Sequence, residues 1–476
     1  MTQPETQTVM TADHPPPSPE PARKPKVLWA NVAFVVVLPL FVLPAAGWYL
    51  WSFGLHWTEL LVAVLMWWAT GLGITAGYHR LFSHRGYKAT APVRFAYAVL
   101  GAAACQNSAV AWCSDHRWHH NRVDTYQDPY NARRGLWYSH MGWILVEGIR
   151  EGQYNNVPDL KRDPILAWQH RNYLAVAVIG NLLPVLAVGY FTNNLLGMIL
   201  IAGLLRIIVV QHFTFLINSA AHVYGTQPYS RGNTARDNWF LSFFTLGEGY
   251  HNYHHAFQWD YRNGPRWYNF DPTKWLIYSL SRIGLASNLR RVPDEQVLRA
   301  RFEEGRDRFS ELLETWGEGK VEEWRRRVEE QRHDWADKKE AWANRMQERR
   351  HEWAERKLAW SKITDDWAHR VDESRTEWIE GAEELKERLH DDLVRAEFAI
   401  QTALTELKQQ QQEWTAQHRA RLDATTADLR KAAQRELAVL ARARRNARKK
   451  AKEALSDWDA LVVEYTQVFG PQMVAA

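Results

Sequence analysis

Residues 57–84 read W-T-E-L-L-V-A-V-L-M-W-W-A-T-G-L-G-I-T-A-G-Y-H-R-L-F-S-H. The run from 57 to 77 approaches the ~20 residues that a helix needs to cross a bilayer. It ends in His79 and His84. Three further apolar runs, 27–51, 173–191 and 195–217, have similar length. Pro39, Pro44 and Pro184 fall inside them, which neighbouring helices can accommodate in lipid. Trp29, Trp48, Tyr49, Trp51 and Trp57 sit near the run ends, where interfacial aromatics belong. Arg23, Lys24 and Lys26 precede the first run, the connections 52–56 and 192–194 carry no Lys or Arg, and 78–172 is rich in both. The positive-inside rule then puts the N-terminus, 78–172 and everything after 217 on the cytoplasmic side of a multi-pass integral membrane protein. A fifth apolar stretch, 93–113, is broken by Gln106, Asn107 and Ser108 and is expected to lie in or dip into the interface.

Histidine is abundant, and its placement is informative. His116, His119 and His120 form H-R-W-H-H; His251, His254 and His255 form H-N-Y-H-H; His222 closes N-S-A-A-H. With His79 and His84 these make nine histidines on the predicted cytoplasmic face. On a helix, positions i, i+3 and i+4 share a face, so each H-x-x-H-H is expected to offer three imidazoles in one direction. Imidazole suits iron, copper, zinc and nickel. Nine ligands are too many for one ion and suit two. A structural zinc site would use four ligands, usually with cysteine. The only cysteines, Cys105 and Cys113, are read as free buried thiols. A di-iron centre that activates O2 fits best, because an unactivated C–H bond demands a strong metal oxidant. Asp115, Asn121, Asp128, Glu248 and Asn252 are candidates to orient the imidazoles. The isolated His14, His56, His140, His170 and His212 are read as surface or structural.

From about residue 27 to 290 the chain resembles the stearoyl-CoA (delta-9) desaturases. The resemblance is carried by G-I-T-A-G-Y-H-R-L-F-S-H, D-H-R-W-H-H, N-S-A-A-H-V-Y-G and G-E-G-Y-H-N-Y-H-H, in that order. It implies O2-dependent insertion of a cis double bond into a saturated long-chain fatty acyl group. It also implies two iron ions on His79, His84, His116, His119, His120, His222, His251, His254 and His255, with Asn218 reaching one metal through water. Thr214 and Phe215 would flank the bend of an acyl tunnel, and Trp67 and Gly71 its closed end. Phe215 stands where the animal enzymes have Trp. Where those enzymes place basic residues for CoA, this chain has Ser114 and, after Gly142-Trp143, Glu147-Gly148. Trp143, Arg133 and Arg134 remain as headgroup candidates, and an acyl-lipid or acyl-carrier-protein substrate stays open.

The two halves of the 476-residue chain differ, so its net charge of +5 says little about partners. Residues 1–26 read as a disordered tail, 27–293 as the membrane desaturase domain and 294–476 as a charged helical or coiled-coil extension dense in strong helix formers. The expected fold is all-α: four transmembrane helices, a cytoplasmic helical cap holding the histidines, then the long tail. Trp324, Trp335, Trp342, Trp353 and Trp360 recur at alternating steps of 11 and 7, and Trp367 and Trp378 continue them, a stripe on one face of a nearly straight helix. The stripe suits packing on a hairpin partner or self-association, and the basic stretch 435–452 could touch membrane lipid. No haem, cysteine-cluster or phosphate-loop motif occurs in the tail. Electrons are therefore expected from a separate donor, a ferredoxin or a cytochrome b5 with its reductase, and no nucleic acid is expected. Two other readings stay open: a di-iron hydroxylase, and a membrane scaffold with a vestigial metal site.

Overall fold

The computed structural model describes residues 26–147, 154–311, 391–421 and 427–469. It divides into two compact units, 1–292 and 293–476. Among the described residues the first unit contains four helices long and apolar enough to cross a membrane: α1 (Trp29–Phe53), α2 (Trp57–Ser83), α5 (Tyr173–Phe191) and α6 (Leu195–Val223). Between and after them come α3 (Ala91–Ala103), α4 (Ala109–Arg122), α7 (Trp239–Phe244), α8 (His251–Ala256) and α9 (Pro272–Arg282). A two-residue antiparallel pairing joins β1 (Lys88–Ala89) to β2 (Ala286–Ser287), tying the segment after the first histidines to the end of the unit. The expected all-α membrane architecture is therefore what the chain adopts.

Two polar knots hold the apolar helices together. At the end of α2 remote from the histidines, the fully buried Glu59 accepts hydrogen bonds from Tyr49 Oη on α1, from Asn194 Nδ2 (2.5 Å) and from the backbone N–H of His56 (3.2 Å). Both short connections are thereby pinned at one point. The second knot solves a problem that α3 creates. This helix stops among the spans, and its last carbonyls need donors that lipid cannot supply. Asn181 Nδ2 bonds Ala103 O (3.0 Å), and Gln211 Nε2 bonds both Ala104 O and Cys105 O (2.9 Å each). Buried Arg206 donates to Asn181 Oδ1 and Ala202 O in the same layer. The break foreseen at Gln106–Ser108 is real: the 93–113 stretch is two helices, α3 and α4, and Ser108 caps the second through Ala111 N.

The second unit contains helices over 294–311 (α10) and 391–421 (α11), and α12 (Ala427–Phe469). They share a core of Phe302, Phe309, Leu393, Ile400, Leu404, Leu407, Leu455 and Trp458. The Trp324–Trp378 stripe lies outside the described residues.

Candidate metal centre

The first histidines owe their alignment to a change of winding in α2. Over Gly73–Ser83 the helix takes wider, i→i+5 turns, continued by the His84 N–H bond to His79 C=O (3.1 Å). In a regular α-helix residues five apart diverge by about 140°; the wider turn stacks them on one side. Local wide turns of this kind are frequent at functional sites. α4 carries His116, His119 and His120, α8 carries His251, His254 and His255, and the kinked end of α6 supplies His222.

All nine histidines converge, in two clusters. His79, His84, His116, His120 and His254 form one; His119, His222, His251 and His255 form the other, with the ligand atoms of each within 4.8 Å of one another. This corrects the expectation that each H-x-x-H-H aims three imidazoles one way. On both α4 and α8 the i and i+4 histidines serve one cluster and the i+3 histidine the other. The reason is angular: i and i+4 diverge by about 40° around a helix, i+3 and i+4 by about 100°. The two helices are used in opposite senses, so each feeds both clusters.

The Nε2 atoms face one another. In the five-imidazole cluster the separations are 2.9 Å (His79–His254), 2.8 Å (His84–His116) and 2.9 Å (His120–His254). In the four-imidazole cluster they are 3.3 Å (His119–His255), 3.1 Å (His222–His251) and 3.1 Å (His251–His255). Two nitrogens bound at right angles to one cation at about 2.1 Å would stand about 3.0 Å apart. The donor set therefore fits one cation in each cluster. Burial, and then mainly the neighbouring imidazoles, push His84, His116, His120, His251, His254 and His255 well below the usual histidine range. Their lone pairs stay available.

Groups behind the imidazoles fix which nitrogen faces inward. His79 Nδ1 lies 2.8 Å from Glu248 Oε2, and His119 Nδ1 lies 2.8 Å from Asp128 Oδ1. Glu248 is held by Arg80 (2.9 Å) and Asn263 (2.5 Å); Arg80 also meets Asp271. Asp128 accepts instead from the backbone N–H groups of Asp124 and Tyr130 (3.0 Å each). His222 Nδ1 lies 2.8 Å from Thr234 Oγ1, whose hydrogen goes to Asp124 Oδ1 (2.7 Å), so the imidazole is the donor. Such outer contacts orient metal-binding imidazoles and raise their basicity. Of the five orienting candidates, Glu248 and Asp128 touch an imidazole in this way. Asn252 instead secures the 229–235 loop through Tyr229 N, Ser230 O and Ala235 O. Asn121 is exposed, and Asp115 is buried on α4. Thr234 and Asp124 had no sequence signal that would single them out.

The remaining candidates spread out around the clusters. Asn218 closes the main length of α6, four residues before His222. Thr214 Oγ1 accepts from Gln106 Nε2 (2.7 Å), whose Oε1 accepts from Trp112 Nε1 (3.3 Å); Trp112 stacks on His116. Gln106 and Trp112 thus join Thr214 to the metal centre, a link not read from the sequence. Phe215 is buried edge-on to His140 and His212. These two histidines, read as isolated, bond each other (3.0 Å), and His140 also bonds Ser219 (2.9 Å). Trp67 packs on Phe213, and a Cβ on Gly71 would come 2.6 Å from Leu246 Cδ1. Arg133 is largely exposed and 4.0 Å from Asp124, Arg134 lies over the Tyr138 ring, and Trp143 packs against Tyr130.

Four apolar helices with two imidazole clusters able to hold metal ions mark an integral membrane protein with a candidate metal centre. The fatty acid desaturase family matches residues 55–281. The chain is 43% identical over 274 residues to acyl-CoA desaturase 1 of Saccharomyces cerevisiae, covering 56% of this chain and 53% of that protein. It is 38% identical to mouse stearoyl-CoA desaturase 4, covering 58% of this chain and 80% of that one, and 34% identical to human stearoyl-CoA desaturase, covering 58% and 78%. The chain belongs to the fatty acid desaturase family. It spans about half the length of the yeast relatives it matches.

Proposed function

We propose that this protein is an O2-dependent desaturase that introduces a cis double bond, at the delta-9 position, into a saturated fatty acyl chain carried as its CoA thioester. The observation that carries the reading is the pairing of five and four imidazoles, seven of the nine buried and His84 and His120 half-buried, at the ends of the apolar helices. Two irons there, with O2 and two electrons, would supply the oxidising power to remove two hydrogens from adjacent carbons. His79, His84, His116, His120 and His254 would hold one; His119, His222, His251 and His255 the other, with Asn218 reaching it through water.

The protein's own part is to position and to exclude. Glu248 and Asp128 keep a proton on Nδ1 of His79 and His119, which leaves Nε2 free toward the ion. Thr234 does the same for His222. Burial of seven of the nine imidazoles, with His84 and His120 half-buried, keeps bulk water away from a reactive centre. The Thr214–Gln106–Trp112 chain ties the acyl path, flanked by Thr214 and Phe215 and closed near Trp67 and Gly71, to the His116 imidazole on which Trp112 stacks. Arg133, Arg134 and Trp143 would meet the acyl carrier's headgroup. The N-terminus, metal centre and tail face the cytoplasm, as the Lys and Arg distribution supports. A separate donor delivers the electrons, and residues 294–476 are dispensable for chemistry.

Expressing the full chain in membranes of a host fed saturated acyl groups, then analysing products by mass spectrometry with double-bond localisation, tests the proposal. A delta-9 cis-monoene supports it. A hydroxylated product would assign the other di-iron chemistry, and no product from a chain that retains two irons with ample reductant would overturn the reading.

A further inference from the structure

The first unit exposes a continuous set of aromatic rings that the metal centre does not use. On α7, Trp239, Phe240 and Phe243 are exposed by 66%, 55% and 42%. Phe243 stacks on Phe270 (4.5 Å), and Phe270 meets Trp275 of α9 (5.7 Å). On α9 the exposed side chains Trp275, Tyr278 and Arg282 fall at i, i+3 and i+7, one face, with exposed Ile283 following. No charged residue occurs from 239 to 247. A water-facing helix rarely presents an uncharged aromatic surface of this extent.

Depth along α2 says what covers it. Phe244 of α7 touches Phe213 of α6 (5.2 Å), and Phe213 touches Trp67 of α2 (5.5 Å). Two residues on, Leu246 lies against Gly71. Counted from Trp57 at about 1.5 Å per residue, Trp67 is about 15 Å and Gly71 about 21 Å along the helix. The hydrocarbon core is about 30 Å thick. The contacts therefore lie about 10–15 Å below the surface on the histidine side, if α2 crosses from Trp57. A segment that touches the spans at that level, and turns aromatic rings away from them, meets lipid.

We propose that α7 and the outer face of α9 are inserted into the leaflet on the histidine side, as a monotopic contact additional to the four spans. The occupant of this surface is the acyl and upper interfacial region of the bilayer, the environment in which amphipathic aromatic helices are stable. Arg282, on the same face at the end of α9, stands where a basic side chain can reach headgroups. The inference rests on the four apolar helices crossing a membrane and is independent of the reaction catalysed.

The test uses the full chain in liposomes containing a phosphatidylcholine with a diazirine in its acyl chain, irradiated, digested and mapped by mass spectrometry. Peptides covering 239–247 and 270–283 should carry label comparable to that of span peptides, and at least about tenfold above the charged 123–134 loop, if they lie in the acyl region. Label on them no greater than on that loop would overturn the proposal. So would their protection from lipid label by a cross-linked second copy of the chain. A nitroxide on Phe243→Cys gives a second readout. Collisions with O2 should exceed those with a water-soluble nickel chelate, as on Leu65→Cys in α2; the reverse order would place this surface in water.

Discussion

Glu248, behind the five-imidazole cluster, sits against a guanidinium, whereas Asp128, behind the four-imidazole cluster, is satisfied by backbone N–H groups. Arg80 is 1% exposed and lies between Glu248 and Asp271, so on that side a charge network and the His79 imidazole share Glu248. On the other side the orienting groups hang on a loop: Asp128, and the Asp124–Thr234–His222 series. Asp124 itself holds a left-handed backbone angle (φ 62°), which a non-glycine residue adopts only where its surroundings fix it. The difference teaches that two sites built from the same boxes fail in different ways. One is coupled to the fold's ionic core, the other to loop geometry.

The largest effect is expected from ligand removal. His120→Ala takes one imidazole from the five-member cluster, and His255→Ala one from the four-member cluster. Each variant should still insert in the membrane, since the apolar helices do not depend on these side chains. Each should lose double-bond formation by more than about 100-fold, beyond the loss typical of an outer contact. On the proposed two-iron reading, metal analysis should show bound iron falling below two per chain. Near-normal product from either variant would remove that histidine from the metal set.

The orienting carboxylates give the next largest effect and test the comparison directly. Glu248→Gln and Asp128→Asn should each weaken metal retention at their own cluster by about 10–100-fold. Only Glu248→Gln also strips a buried cation of part of its compensation, which is strongly destabilising in a covered site. Its thermal unfolding midpoint should therefore drop well below that of Asp128→Asn when both are measured without metal. Equal midpoints would mean that Arg80 is satisfied by Asp271 alone, and that the two sides are not differently built.

How much of this could be read in advance follows from the same contrast. The nine histidines were visible because H-x-x-H-H and the ends of apolar runs are local patterns. Their division was not, because whether His119 joins His120 or leaves it depends on how α4 and α8 face each other. Glu248 and Asp128 were legible as acidic residues near the boxes; Asn121 and Asn252 looked equally good and serve elsewhere or face solvent. Thr234 and Asp124 are ordinary loop residues until the fold sets them 110 positions apart against each other. The turn at Gln106–Ser108 was legible as a break in an apolar run. That Gln211, Asn181 and Arg206 would serve the carbonyls and polar layer at the end of α3 was not, since a single polar residue in a span has no partner in the sequence.

A smaller effect is expected at Thr234. Thr234→Val keeps the shape but leaves His222 Nδ1 without its acceptor and Asp124 without the hydroxyl donor. A neutral hydroxyl is a weaker partner than a carboxylate, so metal retention at the four-imidazole cluster should fall by less than in Asp128→Asn. Thr234→Ser should restore it. If valine costs as much as Asp128→Asn, or if serine does not rescue, the hydroxyl is not what holds His222.

The smallest effect should fall on neither cluster in preference to the other. Asp237 accepts from Tyr253 N (2.9 Å) at the start of α8, the helix that sends His254 to one cluster and His251 and His255 to the other. Burial pushes its carboxyl up to about 7, against the backbone N–H groups of Tyr253 and Asn252, which favour the charged form. A raised acid is neutral in the fold while ionised in the unfolded chain. Its contribution to stability is thus fully present below the unfolded value of about 3.8, and it is lost as pH rises to about 7, with a slope of at most about 1.4 kcal/mol per pH unit. Above that range the loss is complete and the dependence flattens. Asp237→Asn keeps an oxygen acceptor for α8 and cannot ionise. Metal-free wild type should therefore lose thermal stability relative to the variant between pH 5 and about 7, and the two curves should run parallel above pH 8. Both clusters should load equally in the variant. Preferential loss of iron from the four-imidazole side would show that α8 does not act as one rigid piece, and parallel curves throughout would show that Asp237 is ionised in the fold.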